Sequence, residues 1–273
     1  MRLSIRHTTH YRFDTPVAHG LQRLRLTPKS THGQQVHEWR MDLTGARVEA
    51  AFEDHNQNQT TLISLEPGVQ DVTVTCTGTV TTSDNAGVLG PHSGYMPIWR
   101  FLAQTPLTKP GPQMKHLMAD LASAQGAHDR LATLHRLSAA VLGAVSYELG
   151  HTTAETSAEE AVAAGRGVCQ DHAHIFIGCA RALGIPSRYV SGYLMMNDRV
   201  VQDAGHAWAE ALVDGLGWVG FDVSNGISPD RRYVRVASGC DYRDAAPVTG
   251  ISYGGGGNAL RVLLEVEQQT AEQ

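Results

Sequence analysis

The chain has 273 residues, of which 42% are hydrophobic and 18% charged, and its formal net charge is −5 at pH 7. This composition is typical of a folded protein long enough for two domains, and the weak negative charge without a Lys- or Arg-rich run argues against nucleic-acid binding. No stretch approaches the ~18 apolar residues of a membrane span. The opening MRLSIRHTTHYRF lacks a signal-peptide pattern, so we expect no membrane partner and a cytoplasmic location.

Residues 1–105 are predicted to form an antiparallel, β-sandwich-like domain. Residues that alternate or are rich in Thr and Val indicate strands, and turns rich in Asn, Asp, Gly and Pro separate them. The predicted strands are 2–13, 21–26, 36–43, 62–65 and 69–80. Segment 91–112 carries many prolines without clean periodicity, so we interpret it as the connection to the next domain.

Residues 110–273 are predicted to form an α+β domain with helices packed on an antiparallel sheet. Ala- and Leu-rich segments indicate helices, and TSAEEAVAA opens with a capping box of Ser157 and Glu160. The predicted helices are 113–125, 128–143, 156–164 and 169–183. The predicted strands are 187–195, 206–213, 218–223, 233–237 and 260–266. The GGGG run at 254–257 predicts a loop and lacks the context of a phosphate-binding motif.

The chain has four cysteines, and none forms a CxxC pair: Cys76, Cys169, Cys179 and Cys240. We predict free thiols, since a disulfide framework is not expected in a cytosolic chain of this size. Cys169 follows a Gly-x-Gly turn and begins a predicted helix. The unpaired N–H groups and dipole of a helix N-terminus favour the thiolate and can also stabilise an oxyanion. Cys179 lies in an apolar stretch and is predicted to be a buried, inert thiol.

His206 begins one predicted strand and Asp222 ends the next, with the turn signal DGLG between them. Antiparallel pairing across that turn would make the two residues cross-strand neighbours. A carboxylate beside an imidazole holds the tautomer that can take a proton from a thiol. These three residue types in this order predict a Cys169–His206–Asp222 triad.

The segments around these residues resemble the transglutaminase-like superfamily, which is related to papain-like proteases. The resembling segments are GVCQDHAHIF, GIPSRYVSGYL, DAGHAWAEA and GWVGFD. The opening RLSIRHTTHYRFDTPV and HEWRMDL resemble the β domain of a bacterial subgroup, and the tail from RYVRVASGCDYRDAA resembles that subgroup's C-terminal stretch. The sequence departs from the family pattern at Gly205, where Ser is common, at Val223-Ser224, where Pro-Thr is common, and at Cys240, where Arg is expected.

The resemblance implies Cys169 as nucleophile, His206 as general base and acid, and Asp222 as the residue that orients the imidazole. Other residues are weaker candidates for oxyanion or substrate binding: Gln170, Tyr147, Trp208 and Asp241. For Gln170 and Tyr147 simple packing is an equal alternative, and for Trp208 packing is favoured. Asp241 is a candidate through the resemblance alone. The resemblance implies no calcium and no other cofactor.

A metal site is the alternative to a catalytic cysteine in the segment around Cys169. Its ligands would be Cys169, His172, His174 and His151. On a helix, His172 and His174 point in directions roughly 160° apart, using 3.6 residues per turn. The set also lacks the ligand spacing of a zinc site. We therefore predict no metal, and we expect His172 and His174 to pack in the core or line the site.

The function predicted is acyl transfer on an amide, peptide or isopeptide substrate through a thioester on Cys169. Water as the second substrate gives a protease or amidase, which we favour, and a lysine amine gives a transglutaminase. A catalytically inactive protein-binding module is the alternative from another class, and an arylamine acetyltransferase ranks below both. The resemblance also suggests a functional link to peptide ligases of the ATP-grasp type.

Overall fold

A computed structural model describes residues 1–123 and 130–269. The described residues contain sixteen β-strands, numbered in chain order: β1 Arg2–Phe13, β2 Val17–Thr27, β3 Gln34–Thr44, β4 Ala46–Glu53, β5 Gln59–Leu65, β6 Asp71–Thr82, β7 Val88–Gly90, β8 Ser146–Tyr147, β9 Arg166–Gly167, β10 Ser187–Leu194, β11 Val201–Gln202, β12 His206–Val213, β13 Gly217–Phe221, β14 Tyr233–Gly239, β15 Val248–Gly254 and β16 Asn258–Gln268. The described residues also contain a short 3₁₀ helix, Ile98–Leu102, and five α-helices: α1 Pro112–Ser123, α2 Arg130–Ala144, α3 Ala158–Ala164, α4 Cys169–Ala182 and α5 Tyr242–Ala245.

Two antiparallel sheets form a β-sandwich, as the sequence predicted. Sheet I has the strand order β11-β16-β1-β6-β3, and sheet II has the order β15-β2-β5-β4. Alternating residues of both sheets fill the space between them, among them Leu24, Ile63 and Val74, which are fully buried. Strand β4 was not predicted. Its sequence ARVEAAFE lies at the edge of sheet II and is almost entirely exposed, so it shows no inward-facing apolar alternation.

The second half of the molecule is a mixed α/β layer. Sheet III is antiparallel with the strand order β14-β10-β12-β13-β7. Helix α4 is buried along almost its whole length and packs against this sheet together with parts of α1, α2 and α3. Residues Phe176 and Phe221 stack at the centre of this core, with ring centroids 5.0 Å apart. The start of α4 and the adjoining ends of β12 and β13 are thereby held by the same core.

The helix signals of the sequence correspond closely to the observed helix ends. Ser157 and Glu160 form the predicted capping box at the start of α3. Gly165 ends that helix in the left-handed region, with φ = 67°. The predicted end of the first helix at Gln125 and the predicted start of the second at His128 lie outside the described residues. Among the described residues, no helix combines the length and the apolar character that a membrane crossing needs.

Hydrogen bonding crosses the division into residues 1–105 and 110–273 that the sequence suggested, and that division stays a prediction. The C-terminal strand β16 pairs along β1 in sheet I, and β15 pairs with β2 in sheet II. In the opposite direction, β7 pairs with β13 in sheet III. Local patterns cannot show such pairing because the partners are distant in the chain.

The sandwich is fastened to sheet III along the free edge of β14. The amide of Asn58 donates to the carbonyl of Ser238 and accepts from its N–H, both at 2.8 Å. The amide of Gln34 makes the same pair of bonds with the backbone of Arg235, again at 2.8 Å. Two side-chain amides thus take the place of a neighbouring strand and satisfy an edge that would otherwise be unpaired.

Candidate active site

Cys169 is the first residue of α4 and is half-buried. The first intrahelical bond runs from the N–H of His172 to the carbonyl of Val168, so the N–H groups of Cys169 and Gln170 have no acceptor in the helix. Donors of this kind beside a sulfur can stabilise negative charge on a substrate oxygen.

Asp171 holds the turn that carries Cys169. Its Oδ2 accepts from the N–H of Val168 and from the hydroxyl of Thr152, both at 2.7 Å. The carboxyl is 1% exposed, and burial raises its pKa although these hydrogen bonds oppose the rise. Asp171 was missed from the sequence. Its position two residues after the first residue of the helix, where a carboxylate satisfies an unpaired N–H group, is the signal that would have indicated it.

The structure brings the three predicted triad residues together. Nε2 of His206 lies 2.6 Å from Oδ2 of Asp222, although the pairing of β12 with β13 ends at Ala209 and Phe221, so the two side chains meet beyond the paired register and not directly across it. Cys169 lines the same cavity as this imidazole, and its charge contributes to the raised pKa of His206. Since Nε2 is bound to the carboxylate, Nδ1 is the ring nitrogen that can exchange a proton with the sulfur.

Asp222 is fully buried, and its Oδ2 accepts three hydrogen bonds. Besides His206, the hydroxyl of Tyr233 donates at 2.6 Å and the amide of Asn225 at 2.7 Å. Burial alone would raise the pKa of this carboxyl, but the hydrogen bonds and the charge of His206 outweigh it and keep the pKa below its ordinary value. Asp222 is therefore an ionised, immobilised partner for the imidazole.

His206 is held as an imidazolium at neutral pH. Burial alone would lower its pKa, but the hydrogen bonds and charges of Asp222 and Cys169 raise it to about 10. The indole of Trp208 packs on the His206 ring, with centroids 6.3 Å apart, and is itself 3% exposed. Of the two roles considered for Trp208, packing is the one that this position supports.

Tyr147 and Gln170 flank the sulfur in different ways. Burial, together with the charges of Cys169 and Asp222, raises the pKa of Tyr147 to about 12. Tyr147 therefore keeps its hydroxyl neutral near the sulfur. The side chain of Gln170 makes one long bond, 3.5 Å, to the carbonyl of Ala154 and lines the cavity beside Cys169. A role of either residue as an oxyanion donor stays a prediction.

The remaining predicted residues have structural partners. Asp241 caps α5 by accepting from the N–H of Arg243 at 2.9 Å. The ring of His172 bonds Ser224 and the carbonyl of Val145, and the ring of His174 accepts from the N–H of Tyr242. These contacts use both ring nitrogens of His172 and Nε2 of His174, whose Nδ1 has no hydrogen-bond partner among the described residues.

A cavity of ≈ 290 Å³ opens on Cys169 and His206. One wall comes from the α/β layer, including Gln170 and Tyr189. Another wall comes from the sandwich and the C-terminal strands. It includes His7, Thr9, Tyr11, Arg25, Val248, Leu260 and Val262. The β-sandwich is thus part of the site. None of these sandwich residues was predicted, because no local pattern in β1 or β2 points to a distant cysteine.

Family models match two regions of the chain. Residues 119–223 match the transglutaminase-like superfamily, and this region contains Cys169, His206 and Asp222. Residues 3–81 match the bacterial transglutaminase-like N-terminal region. The chain therefore contains, between residues 119 and 223, the transglutaminase-like core that the sequence resembled. Its N-terminal sandwich is accordingly the N-terminal region that accompanies this core in the bacterial subgroup, as the sequence indicated.

Similar proteins and one solved structure align with nearly the whole chain. An uncharacterised protein of Mycobacterium leprae is 29% identical over 97% of this chain and 98% of its own length. An uncharacterised protein of Mycobacterium tuberculosis strain H37Rv is 28% identical over 95% of this chain and 90% of its own. A solved structure from Cytophaga hutchinsonii, described as a candidate cysteine protease, shares the fold with a TM-score of 0.78 at 22% identity, covering 100% of this chain and 92% of that one.

The three departures from the superfamily pattern have local explanations. A Cβ at Gly205 would lie 3.0 Å from the carbonyl of Gly192, which leaves little room for the more common Ser. Ser224 keeps a hydroxyl, whose oxygen lies 2.8 Å from Nδ1 of His172. Cys240 is buried, and its carbonyl accepts from the guanidinium of Arg181 at 2.6 Å. None of them alters a triad contact.

Proposed function

We propose that this protein is a cysteine-nucleophile enzyme that cleaves an amide bond through a thioester on Cys169. The observation that carries the proposal is the 2.6 Å contact between His206 and the buried Asp222, beside an open cavity that Cys169 and His206 both line. A buried carboxylate, an imidazolium and a cysteine sulfur whose proton the imidazole has taken are the elements of nucleophilic acyl transfer.

The steps follow from these contacts. The sulfur attacks the substrate carbonyl, so that a C–S bond forms and negative charge moves to the carbonyl oxygen, beside the N–H groups of Cys169 and Gln170. As the C–N bond breaks, His206 gives its proton to the leaving nitrogen. Water then attacks the thioester, His206 takes a proton from that water, and the C–S bond breaks to release the acid. Asp222 keeps the ring oriented throughout.

Hydrolysis is the favoured outcome, and transfer to an amine is the alternative. The two differ only in the molecule that attacks the thioester. Mass spectrometry of a glutamine-containing peptide incubated with the protein, with and without a primary amine, separates them. We expect peptide cleavage or deamidation that is absent in Cys169→Ala. Quantitative amine incorporation without any hydrolysis would contradict the hydrolase form and support a transglutaminase. A thiol no more reactive than Cys179 would favour the inactive binding module instead.

A further inference from the structure

The sandwich wall of the cavity contains one fixed positive charge. Arg25 lies on β2, lines the cavity that opens on Cys169, and is 1% exposed. Its Nε donates to Oδ2 of Asp54 at 2.9 Å. Its Nη1 is buried without a hydrogen-bond partner among the described residues. A guanidinium donor without an acceptor is costly to bury, so its presence beside a cavity points to a ligand acceptor.

No carboxylate of the protein competes for this guanidinium inside the cavity. Among the described residues that line it, none is Asp, Glu or Lys. The other polar groups near Arg25 are neutral. Burial lowers the pKa of His7 to about 4, and burial raises that of Tyr11 to about 12. Apart from the His206 imidazolium of the triad, the cavity therefore combines an apolar lining, hydroxyl donors and one cation, Arg25, which is complementary to a ligand with an apolar body and a negative group.

Asp54 holds Arg25 in place without filling its remaining donors. Oδ1 of Asp54 accepts the N–H groups of Asn56 and Asn58, and Oδ2 accepts from Arg25 and from the amide of Asn58. Both oxygens of this carboxylate are thus occupied, and neither accepts from Nη1. Arg side chains fixed in this way bind carboxylates with directional, charge-assisted hydrogen bonds.

We propose that Arg25 forms a carboxylate-binding subsite, so that the substrates of Cys169 carry a free carboxylate near the amide that is cleaved. The carboxylate belongs either to a peptide C-terminus or to an acidic side chain. This inference rests on the proposed function, because it places the subsite in the cavity that opens on the nucleophile. It assigns the sandwich a direct part in substrate selection.

The test uses alkylating peptides that react with Cys169 without any turnover. N-iodoacetyl-Gly-Ala carries a C-terminal carboxylate, N-iodoacetyl-Gly-Ala-amide is neutral, and N-iodoacetyl-Gly-Glu-amide carries only a side-chain carboxylate. In each case the C–S bond forms as iodide leaves. We expect saturable labelling in which one acidic probe has a half-saturation concentration lower than the neutral probe by at least about tenfold, as a charge-assisted bond to Arg implies. Which acidic probe is preferred identifies the source of the carboxylate.

Two variants must shift this preference in opposite directions. Arg25→Met combined with Asp54→Asn removes both members of the buried pair and should abolish the preference for acidic probes. Asp54→Asn alone leaves the guanidinium without its counter-charge and should increase that preference. If the pair has only a structural role, both variants should lower the preference. The exposed Arg23, on the same strand, provides the matched control Arg23→Gln, which should change nothing.

The outcomes separate this inference from the proposed function. Equal half-saturation of all three probes in the wild type, or a preference that survives in the double variant, would overturn the carboxylate subsite. If even the neutral probe labels Cys169 no faster than it labels the buried cysteines, the proposed nucleophile is wrong as well. Labelling by the neutral probe that depends on His206, without any preference for acidic probes, would leave the proposed function intact and reject the subsite alone.

Discussion

The hydroxyl of Tyr233 donates to the same Asp222 oxygen that binds His206, at a distance of 2.6 Å in both cases. Tyr233 is nearly buried and lies on β14, whereas His206 begins β12. Asp222 therefore receives its partners from two strands of sheet III and cannot rotate away from the imidazole without losing hydrogen bonds. The orientation of the imidazole is a property of the sheet as well as of the triad.

Tyr233→Phe removes this hydroxyl and little else. We expect the catalytic rate to fall by about tenfold, since one hydrogen bond to a charged group is lost. We also expect the alkaline limb of the pH–rate profile to move to lower pH, because a less strongly held carboxylate supports the imidazolium less well. Tyr253→Phe, at an exposed tyrosine, is the matched control. A rate loss with an unchanged pH profile would contradict this role and indicate packing alone.

His206 should make stability depend on pH in the alkaline range. Its pKa is about 10 in the folded protein, against ~6.5 in an unfolded chain. Between these values the folded protein keeps a proton that the unfolded chain has released, so the free energy of unfolding falls as the pH rises. Urea titrations of the wild type and His206→Gln should show the largest difference below about pH 6.5 and a shrinking difference toward about pH 10. A difference that grows with pH would refute the raised pKa.

Glu210 anchors the centre of sheet III through a buried ionic cluster. It is fully buried and binds Arg188 at 2.5 Å and Arg235 at 2.9 Å. Burial would raise its pKa, but the two guanidinium groups outweigh this and lower it. Glu210→Gln leaves both cations without their counter-charge, and we expect a loss of about 3–5 kcal/mol in the free energy of unfolding.

Denaturant titration measures this effect of Glu210→Gln. The control is Glu49→Gln, which interrupts an ion pair between exposed side chains and should leave the unfolding midpoint unchanged. The wild type should also lose the Glu210 contribution as the pH falls below ~4.3, the pKa of an unfolded glutamate. Equal midpoints for Glu210→Gln and the wild type would show that the cluster does not stabilise the sheet.

Asn58 is expected to couple the sandwich to sheet III. Its amide satisfies both the N–H and the carbonyl of Ser238 on the edge strand β14. Asn58→Asp removes the donor, so the buried carbonyl is left unpaired, and it also places a second carboxylate beside Asp54, so we expect a loss greater than the about 1–3 kcal/mol of one unpaired buried group. Hydrogen exchange measured by mass spectrometry should show faster exchange in 233–239. Unchanged exchange in that strand would contradict the coupling.

Much of the fold could be predicted from local patterns. The bounds of β1 and β12 were predicted at the residues where the structure has them, because alternation and turn residues mark both ends of each. The edge strand β4 could not be predicted from an inward-facing apolar pattern that it lacks. The pairing of β16 with β1 could not be predicted because it joins opposite ends of the chain, and strand pairing depends on tertiary packing.

The site divides in the same way. Cys169, His206 and Asp222 could be predicted because each lies at the end of an element whose signal is local. The partners that hold them, Tyr233 and Asp171, carry no such signal until the strands and the helix are placed in three dimensions. Arg25, the residue of the proposed carboxylate subsite, was the hardest to predict. It lies far from the triad in the sequence, and its contact with Asp54 is formed only in the folded structure.

The most direct test of the account is the pH dependence of iodoacetamide labelling at Cys169, mapped by peptide mass spectrometry in the wild type and in His206→Ala. Burial raises the pKa of Cys76 and Cys179 to about 12, so these thiols are slow internal references. We predict rapid labelling of Cys169 at pH values well below ~8.5, the pKa of a free cysteine thiol, and loss of that reactivity in His206→Ala. Labelling of Cys169 as slow as that of Cys76, or labelling that is unaffected by His206→Ala, would contradict it.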